Sequence, residues 1–415
     1  MKQQTEYEKC ARRVVLVSWI AYTVLYIGKK TLQHCLPGMI AEGLCTEATG
    51  GPIASCFLAA YAAGQFLSGW LGEKVHPRYM ISAGLLLAGL CNVAMGALSS
   101  LPLFMVAWGL CGLFCSMLWP PIIRAISEWT TPEIAHESGA ALSVTIPVGT
   151  IGCTLLSALA LRVSSWRLAF FLCGGVLVAA SGIVWALFYA LRHHMVPGER
   201  AADIAADAAE SAGTKAPIRA LLTPLLLFAA VSIVANGMIK DGLDQWIPTL
   251  LGQRFIGDQA LASLLSALLP VVNIFGAYAA KWMLARGKTE LGASGILFGV
   301  SAVALGAVLA LLLCGAEGMI AAAAVTVLLS LSSASMLGAN TLLLTYLPLQ
   351  YGKVGRAATV SGALNGFSYA AAAAAAALVG LIESWEAVFL VFLAASLVGC
   401  LGGTRGGLLP NERKV

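Results

Sequence analysis

The sequence predicts an all-α membrane protein of twelve spanning helices built as two six-helix repeats, on three observations. Hydrophobic residues make up 59% of the 415 and charged residues 11%, with a mean hydropathy of +0.85. A soluble domain carries about 25% charged residues, so this chain lacks the polar surface to meet water. Its apolar blocks run to about twenty residues, the length of a spanning helix and about twice the length of a barrel strand. Finally, one short stretch occurs twice. Lys29-Lys30-Thr31-Leu32-Gln33-His34-Cys35-Leu36-Pro37 and Lys240-Asp241-Gly242-Leu243-Asp244-Gln245-Trp246-Ile247-Pro248 are offset by 211 residues. Each starts with lysine at the end of an apolar run, has leucine three residues on and reaches proline eight residues on.

The first residues, MKQQTEYEKCARR, precede an apolar run in the manner of a signal peptide. No small-residue cleavage site follows, so the first span is expected to be retained. Spans are expected at 14–36, 52–72, 79–98, 102–126, 137–161 and 168–191, then at 221–250, 258–280, 291–313, 318–346, 356–381 and 385–403. The polar segment 196–220 divides them six and six. The expected domains are a bundle over 1–195, a cytoplasmic linker over 196–220 and a second bundle over 221–415. Basic residues crowd the N-terminus, the linker, the loops holding Lys74, Lys281 and Lys353, and the C-terminal end. The other face has only Arg162, Arg167 and Arg254. Both termini are therefore expected in the cytoplasm, at a cell (inner or plasma) membrane.

The lysines of the repeat lie at costly places. Lys29 is about fifteen residues, or ~22 Å, into its span, short of the ~30 Å needed to cross. A charge at membrane depth costs roughly 2.5–3.5 kcal/mol on insertion scales and marks a functional site. Paired lysines in two repeats point to a binding site on the axis between them, which is a transporter's arrangement. Lys30 points about 100° away and is expected to reach for the interface. Asp244, four residues after Lys240, is placed to pair with it across one turn or to face water.

A second repeat joins the first. Gly69 to Arg78 and Gly276 to Arg286 each carry lysine five residues after glycine, at an offset of 207. Glycine permits close helix approach, and the basic residue marks a membrane edge. Together the two offsets indicate a duplicated six-helix unit, the major facilitator architecture.

Several segments carry a more specific resemblance. Ala21-Tyr22 through Lys29-Lys30 resembles the first helix of the organophosphate:phosphate antiporters, the glycerol-3-phosphate and hexose-phosphate transporters. Trp119-Pro120-Pro121 with Arg124 resembles their fourth span. Gly69 to Arg78 resembles their loop between spans 2 and 3, with Glu73-Lys74 where Asp-Arg is usual. Lys240 to Thr249 resembles their seventh helix. The resemblance implies exchange of an organic phosphate (sugar phosphate, glycerol phosphate or phosphonate type) for inorganic phosphate by alternating access. It implies a substrate site of Lys29, Lys240, Tyr22, Tyr26, Tyr61, Trp119 and Tyr369, and a gating motif of Gly69, Glu73, Lys74, Arg78 and Arg124. To that site the residues themselves add Gln33 and Gln65, polar in apolar surroundings and suited to a ligand or a neighbouring helix, and Asp244, which has no acidic counterpart in the family and is added by its spacing from Lys240. Lysines replace both family arginines, Gly149 falls where the family has histidine, and Gln65 where one branch has lysine.

The tyrosines also fit an interfacial belt, Trp119 a packing feature, and Arg124 a helix-end anchor. Two rival readings stand beside exchange: proton-coupled transport of a carboxylate, and a non-transporting sensor of sugar phosphates. No Walker motif, catalytic triad or metal spacing appears, so neither an enzyme nor a cofactor or metal is expected. The net charge of +5 is not gathered in a tract, so nucleic acid is not an expected partner. The expected partners are a small phosphate ester, inorganic phosphate and the lipid bilayer, with the protein a monomer. Eleven cysteines lie mostly in apolar runs, and Cys35 and Cys45, flanking the first outer loop, are open to pairing.

Overall fold

The computed structural model describes residues 2–191, 221, 223–243, 246–257, 259–266, 268–382 and 384–409. The expected linker over 196–220 and Asp244 lie outside the described residues. Among the described residues the ordered elements are helices, without a strand. They form two compact units, Met1–Ile218 with Pro348–Gly366, and Arg219–Leu347 with Phe367–Val415.

The first unit holds α1 (Lys2–Lys29), α2 (Thr31–Ala41), α3 (Glu47–Leu71), α4 (Pro77–Ala97), α5 (Leu101–Cys115), α6 (Trp119–Trp129), α7 (Pro132–Val163) and α8 (Trp166–Leu191). Local chemistry sets several starts. Thr131 caps α7 by accepting from the Ile134 N–H, with Pro132 in the first turn, where its missing N–H costs nothing. The expected span 102–126 is broken into α5 and α6, because Pro120 and Pro121 cannot donate to the preceding turn and instead begin a new helix. The first span is likewise two helices, joined at Lys30.

In the second unit α9 (Pro224–Gly237) passes into a π-helical segment, Met238–Leu243, before α10 (Ile247–Leu251). Pro248 lacks the N–H that would carry a regular ladder back through this stretch. After a further π segment, Gly252–Ile256, come α11 (Gln259–Ser266), α12 (Leu269–Ala285), α13 (Glu290–Leu313) and α14 (Met319–Thr341). A third π segment, Leu342–Tyr346, leads to α15 (Leu347–Gln350), then α16 (Ala357–Leu381) and α17 (Trp385–Gly407), with Pro348–Gly366, and so the N-terminal part of α16, belonging to the first unit.

Three close backbone crossings occur in the first unit and again in the second. A Cβ built on Gly89 of α4 would lie 2.9 Å from the Gly174 oxygen of α8, and one on Gly403 of α17 would lie 2.6 Å from Gly295 Cα of α13. Gly112 of α5 meets the Phe57 carbonyl of α3, as Gly276 of α12 meets the Ala334 carbonyl of α14. Gly149 of α7 meets the Thr23 carbonyl of α1, as Gly237 of α9 meets the Ser368 carbonyl of α16. Small residues let helices approach in this way where no hydrophobic effect drives them together. The crossings pair spans 3 and 6, 2 and 4, and 1 and 5 with their counterparts six spans on, as the sequence repeat implies.

Ten helices or continuous helical runs are long and apolar enough to cross a membrane among the described residues, and Leu269–Ala285 is a shorter apolar helix. α3, 25 residues long, supplies the other of the twelve expected spans. Large side chains such as Leu155, Phe275 and Val303 are exposed by 66, 69 and 75%. That surface suits lipid and would aggregate in water.

Candidate functional site

In the first unit the site is built from α1 and α3. Tyr22, Tyr26 and Lys29 are spaced by four and three residues, which puts them on one face of α1. Tyr61 and Gln65 share a face of α3 for the same reason. The Lys29 ammonium lies 3.9 Å from the centre of the Tyr61 ring, 5.0 Å from Tyr26 and 6.0 Å from Phe57. Lys29 is buried, as are all three rings. A desolvated ammonium gains about 2 kcal/mol from such a ring face. Tyr22 meets Tyr26 edge-on at 5.4 Å and lies 4.6 Å from Trp119, which the double proline places at the start of α6.

The structure therefore gathers Lys29, Tyr22, Tyr26, Tyr61 and Trp119. Phe57 belongs with them, and the sequence carried a signal for it, since it stands one turn before Tyr61. Gln65 is fully buried one turn beyond Tyr61, and neither its amide nitrogen nor its amide oxygen has a hydrogen-bond partner. A buried polar group left unpaired costs about 1–3 kcal/mol, so this amide is suited to a ligand. Gln33 is not part of the cluster: it is exposed on α2. Lys30 is half-buried at the α1–α2 joint. Gly149 explains the missing histidine. A Cβ there would meet the Thr23 carbonyl and come within 2.5 Å of Tyr26 Cβ, so any side chain would push α7 off the lysine-bearing helix.

In the second unit Lys240 stands on the π segment. It lines a cleft with Ile239, Leu243, Ile247, Leu329, Ser332 and Ser333. Its Nζ lies 2.9 Å from Oδ1 and 2.8 Å from Oδ2 of Asp241, the next residue. The sequence reading looked for this carboxylate at Asp244, one α-helical turn away. Neighbours along a regular α-helix do not face each other, and Met238–Leu243 is not regular α-helix. Tyr369 is buried on α16.

The loop motif forms a separate group in the first unit. Glu73 is buried and accepts from Arg356 Nη1 at 2.8 Å, from the Thr359 N–H at 3.1 Å and from the Thr359 hydroxyl. It thereby places a carboxylate at the N-terminus of α16, the favourable end of the helix dipole. A Cβ on Gly69 would lie 3.0 Å from the Ala358 oxygen, which fixes glycine at that approach. Arg124 donates to the carbonyls of Gly72 and Val75 at 2.8 and 3.2 Å and pairs with Glu128 at 2.7 Å, holding the loop. Lys74 rests 3.6 Å from the Trp70 ring, and Arg78 lies 4.5 Å from Tyr79 with Trp185 and Tyr189 at 5.4 Å. His76 caps α4 by accepting the Arg78 N–H at Nδ1. Burial, with the charges of Arg78 and Arg124, holds its pKa below the ordinary value. Cys35 and Cys45 are both free thiols.

The model of a family described as the Major Facilitator Superfamily matches residues 18–376. The "Probable hexose phosphate transport protein" of Chlamydia trachomatis is 27% identical over 41% of this chain and 37% of its own length. The matched stretches span 37–39% of the three hexose phosphate transport relatives. The membrane sensor protein UhpC of Salmonella typhimurium is 24% identical over 66% of this chain and 64% of its own. The glycerol-3-phosphate transporter of Haemophilus influenzae is 29% identical over 40% of this chain and 34% of its own. Among solved structures the proton:xylose symporter XylE superposes with a TM-score of 0.76 at 11% identity, covering 96% of this chain and 95% of that one. This last likeness is one of fold.

Proposed function

Because the chain belongs to the Major Facilitator Superfamily, and so is a multi-pass membrane protein and not an enzyme, we propose that it exchanges an organic phosphate for inorganic phosphate by alternating access. The observation that carries this reading is Lys29, a cation buried among three aromatic rings in a span. A cation held at membrane depth among ring faces is a charge that the anionic oxygens of a phosphoryl group can pair with. Lys29 is the phosphoryl ligand of the first unit and Lys240 that of the second. Tyr22, Tyr26, Tyr61 and Gln65 supply hydroxyl and amide contacts around the first. Lysine offers a compact point charge where arginine offers a planar fork, so phosphoryl recognition here is less strict in geometry. Release of binding energy that differs between two conformations is what drives the carrier from one to the other. Relatives named for hexose phosphate and glycerol-3-phosphate transport support the substrate class.

Counterflow in proteoliposomes tests the reading. Vesicles loaded with inorganic phosphate should accumulate external glycerol-3-phosphate, and empty vesicles should not. Uptake driven by an imposed proton gradient without internal phosphate would replace exchange by symport. The sensor reading keeps one observation in its favour, since the sensor relative matches 66% of the chain against 41% for the first transport relative. Ligand binding without flux in the same vesicles would establish it.

A further inference from the structure

We propose that Arg78 and Tyr79 of α4, with Trp185 and Tyr189 of α8, form a headgroup site for an anionic phospholipid on the surface of the first unit. Arg78 stands in the first turn of α4. Its guanidinium carbon lies 4.5 Å from the centre of the Tyr79 ring and 5.4 Å from those of Trp185 and Tyr189. The last two stand one turn apart on α8 and stack nearly parallel, 5.4 Å between centres, as a flat wall beside the cation. These rings are not core residues, since Tyr79, Trp185 and Tyr189 are exposed by 52, 42 and 43%. Tryptophan and tyrosine gather where lipid meets water, because one end of each is apolar and the other polar.

Charge decides what these rings meet. Two other arginines around the same loop have carboxylates, Arg124 with Glu128 and Arg356 with Glu73. Among the described residues no carboxylate pairs with Arg78. Its Nη2 donates to the Tyr79 hydroxyl at 2.5 Å, while Nε is shielded and has no acceptor. Neither α4 nor α8 holds an aspartate or glutamate. In the sequence Lys74 precedes α4 and Arg192 directly follows α8, so the neighbourhood is positive. Ring faces hold the guanidinium without cancelling its charge, and its planar fork matches phosphate oxygens in paired hydrogen bonds. From the rings toward the Gly89–Gly174 crossing, α4 and α8 expose Leu86 and Ile183, an apolar surface that suits an acyl chain. Cation, aromatic rim and apolar wall thus follow in the order of a lipid's phosphate, glycerol region and tail. A soluble phosphate ester would use only the first of the three. Basic pockets between helices at a membrane edge recognise anionic headgroups by this chemistry.

Native mass spectrometry on the purified, full-length protein tests this. Delipidated protein is titrated separately with phosphatidylglycerol, phosphatidylcholine and glycerol-3-phosphate. The wild type should bind a first phosphatidylglycerol about tenfold more tightly than phosphatidylcholine. Arg78→Gln should abolish that preference, and Arg78→Lys, which keeps the charge without the fork, should retain part of it. Should Arg78→Gln fail to fold, the double variant Trp185→Leu, Tyr189→Leu makes the test from the other helix and should also lose the preference. Arg286→Gln removes an arginine that rests 4.0 Å from the exposed Trp282 ring, and should leave the preference intact. Equal binding of the two lipids by the wild type would overturn the proposal and leave an ordinary aromatic belt. Equal losses in Arg78→Gln and Arg286→Gln would overturn it in favour of diffuse surface charge. A preference that survives Arg78→Gln while glycerol-3-phosphate binding is lost would assign this arginine to the soluble substrate instead.

Discussion

Lys29 rests against the faces of Tyr26, Phe57 and Tyr61, and those rings determine which substitutions it tolerates. Lys29→Ala should weaken phosphate-ester binding by about 2–5 kcal/mol, the usual cost of truncating a buried charged partner. Lys29→Arg should keep part of the affinity, because guanidinium also stacks on aromatic rings while presenting a wider, planar head. Lys30→Ala should be mild, since that side chain is only half-buried at a helix joint. Equilibrium binding of glycerol-3-phosphate to the three purified variants checks the order, and a Lys30→Ala loss as large as that of Lys29→Ala would contradict it. At this scale the depth of Lys29 in an apolar span was legible in the sequence, while Tyr22, Tyr26 and Tyr61 were legible only through the family resemblance. Asp241 was not, because its contact with Lys240 depends on a π segment that no local pattern announced. Gln33 was counted at the site as a polar residue in apolar surroundings, and beyond the joint at Lys30 it is exposed on α2.

At the scale of elements, spans were readable from hydrophobic length, and their interior breaks were only half readable. Pro120-Pro121 and Pro248 marked two of them, since proline cannot extend the preceding ladder. The close approach of α7 to α1 at Gly149 is a tertiary fact, and the sequence showed only that an expected histidine was missing. The N-terminus of α4 gives a pH-dependent prediction. His76 accepts the Arg78 N–H at Nδ1, so the cap exists only with a neutral imidazole. Its folded pKa is lowered, so the folded chain resists protonation more than the unfolded one. The cap's contribution is therefore complete above the unfolded histidine value of about 6.5 and is lost as the pH falls through the lowered folded value. The melting-temperature gap between wild type and His76→Ala should be widest near pH 8 and shrink on acidification. A gap independent of pH would mean that the cap does not contribute through this imidazole.

For the whole molecule, the distribution of lysine and arginine predicts that both termini and the 196–220 segment face the cytoplasm. Cysteine or tag labelling in intact cells should leave all three unmarked until the membrane is permeabilised. Labelling of 196–220 from outside would overturn the twelve-span topology. The three crossings shared by the two units have a further consequence, for the way this chain accumulates mutations. α4 and α8 are held to small residues at Gly89 and Gly174 for the same steric reason that holds α13 and α17 at Gly295 and Gly403. The two halves are thus two samples drawn under one set of packing constraints. In a saturation-mutagenesis map each half can serve as the replicate of the other: positions intolerant in both report the shared scaffold. Positions intolerant in only one, such as Lys29 with its rings or Lys240 with its carboxylate, report what each half has specialised to do.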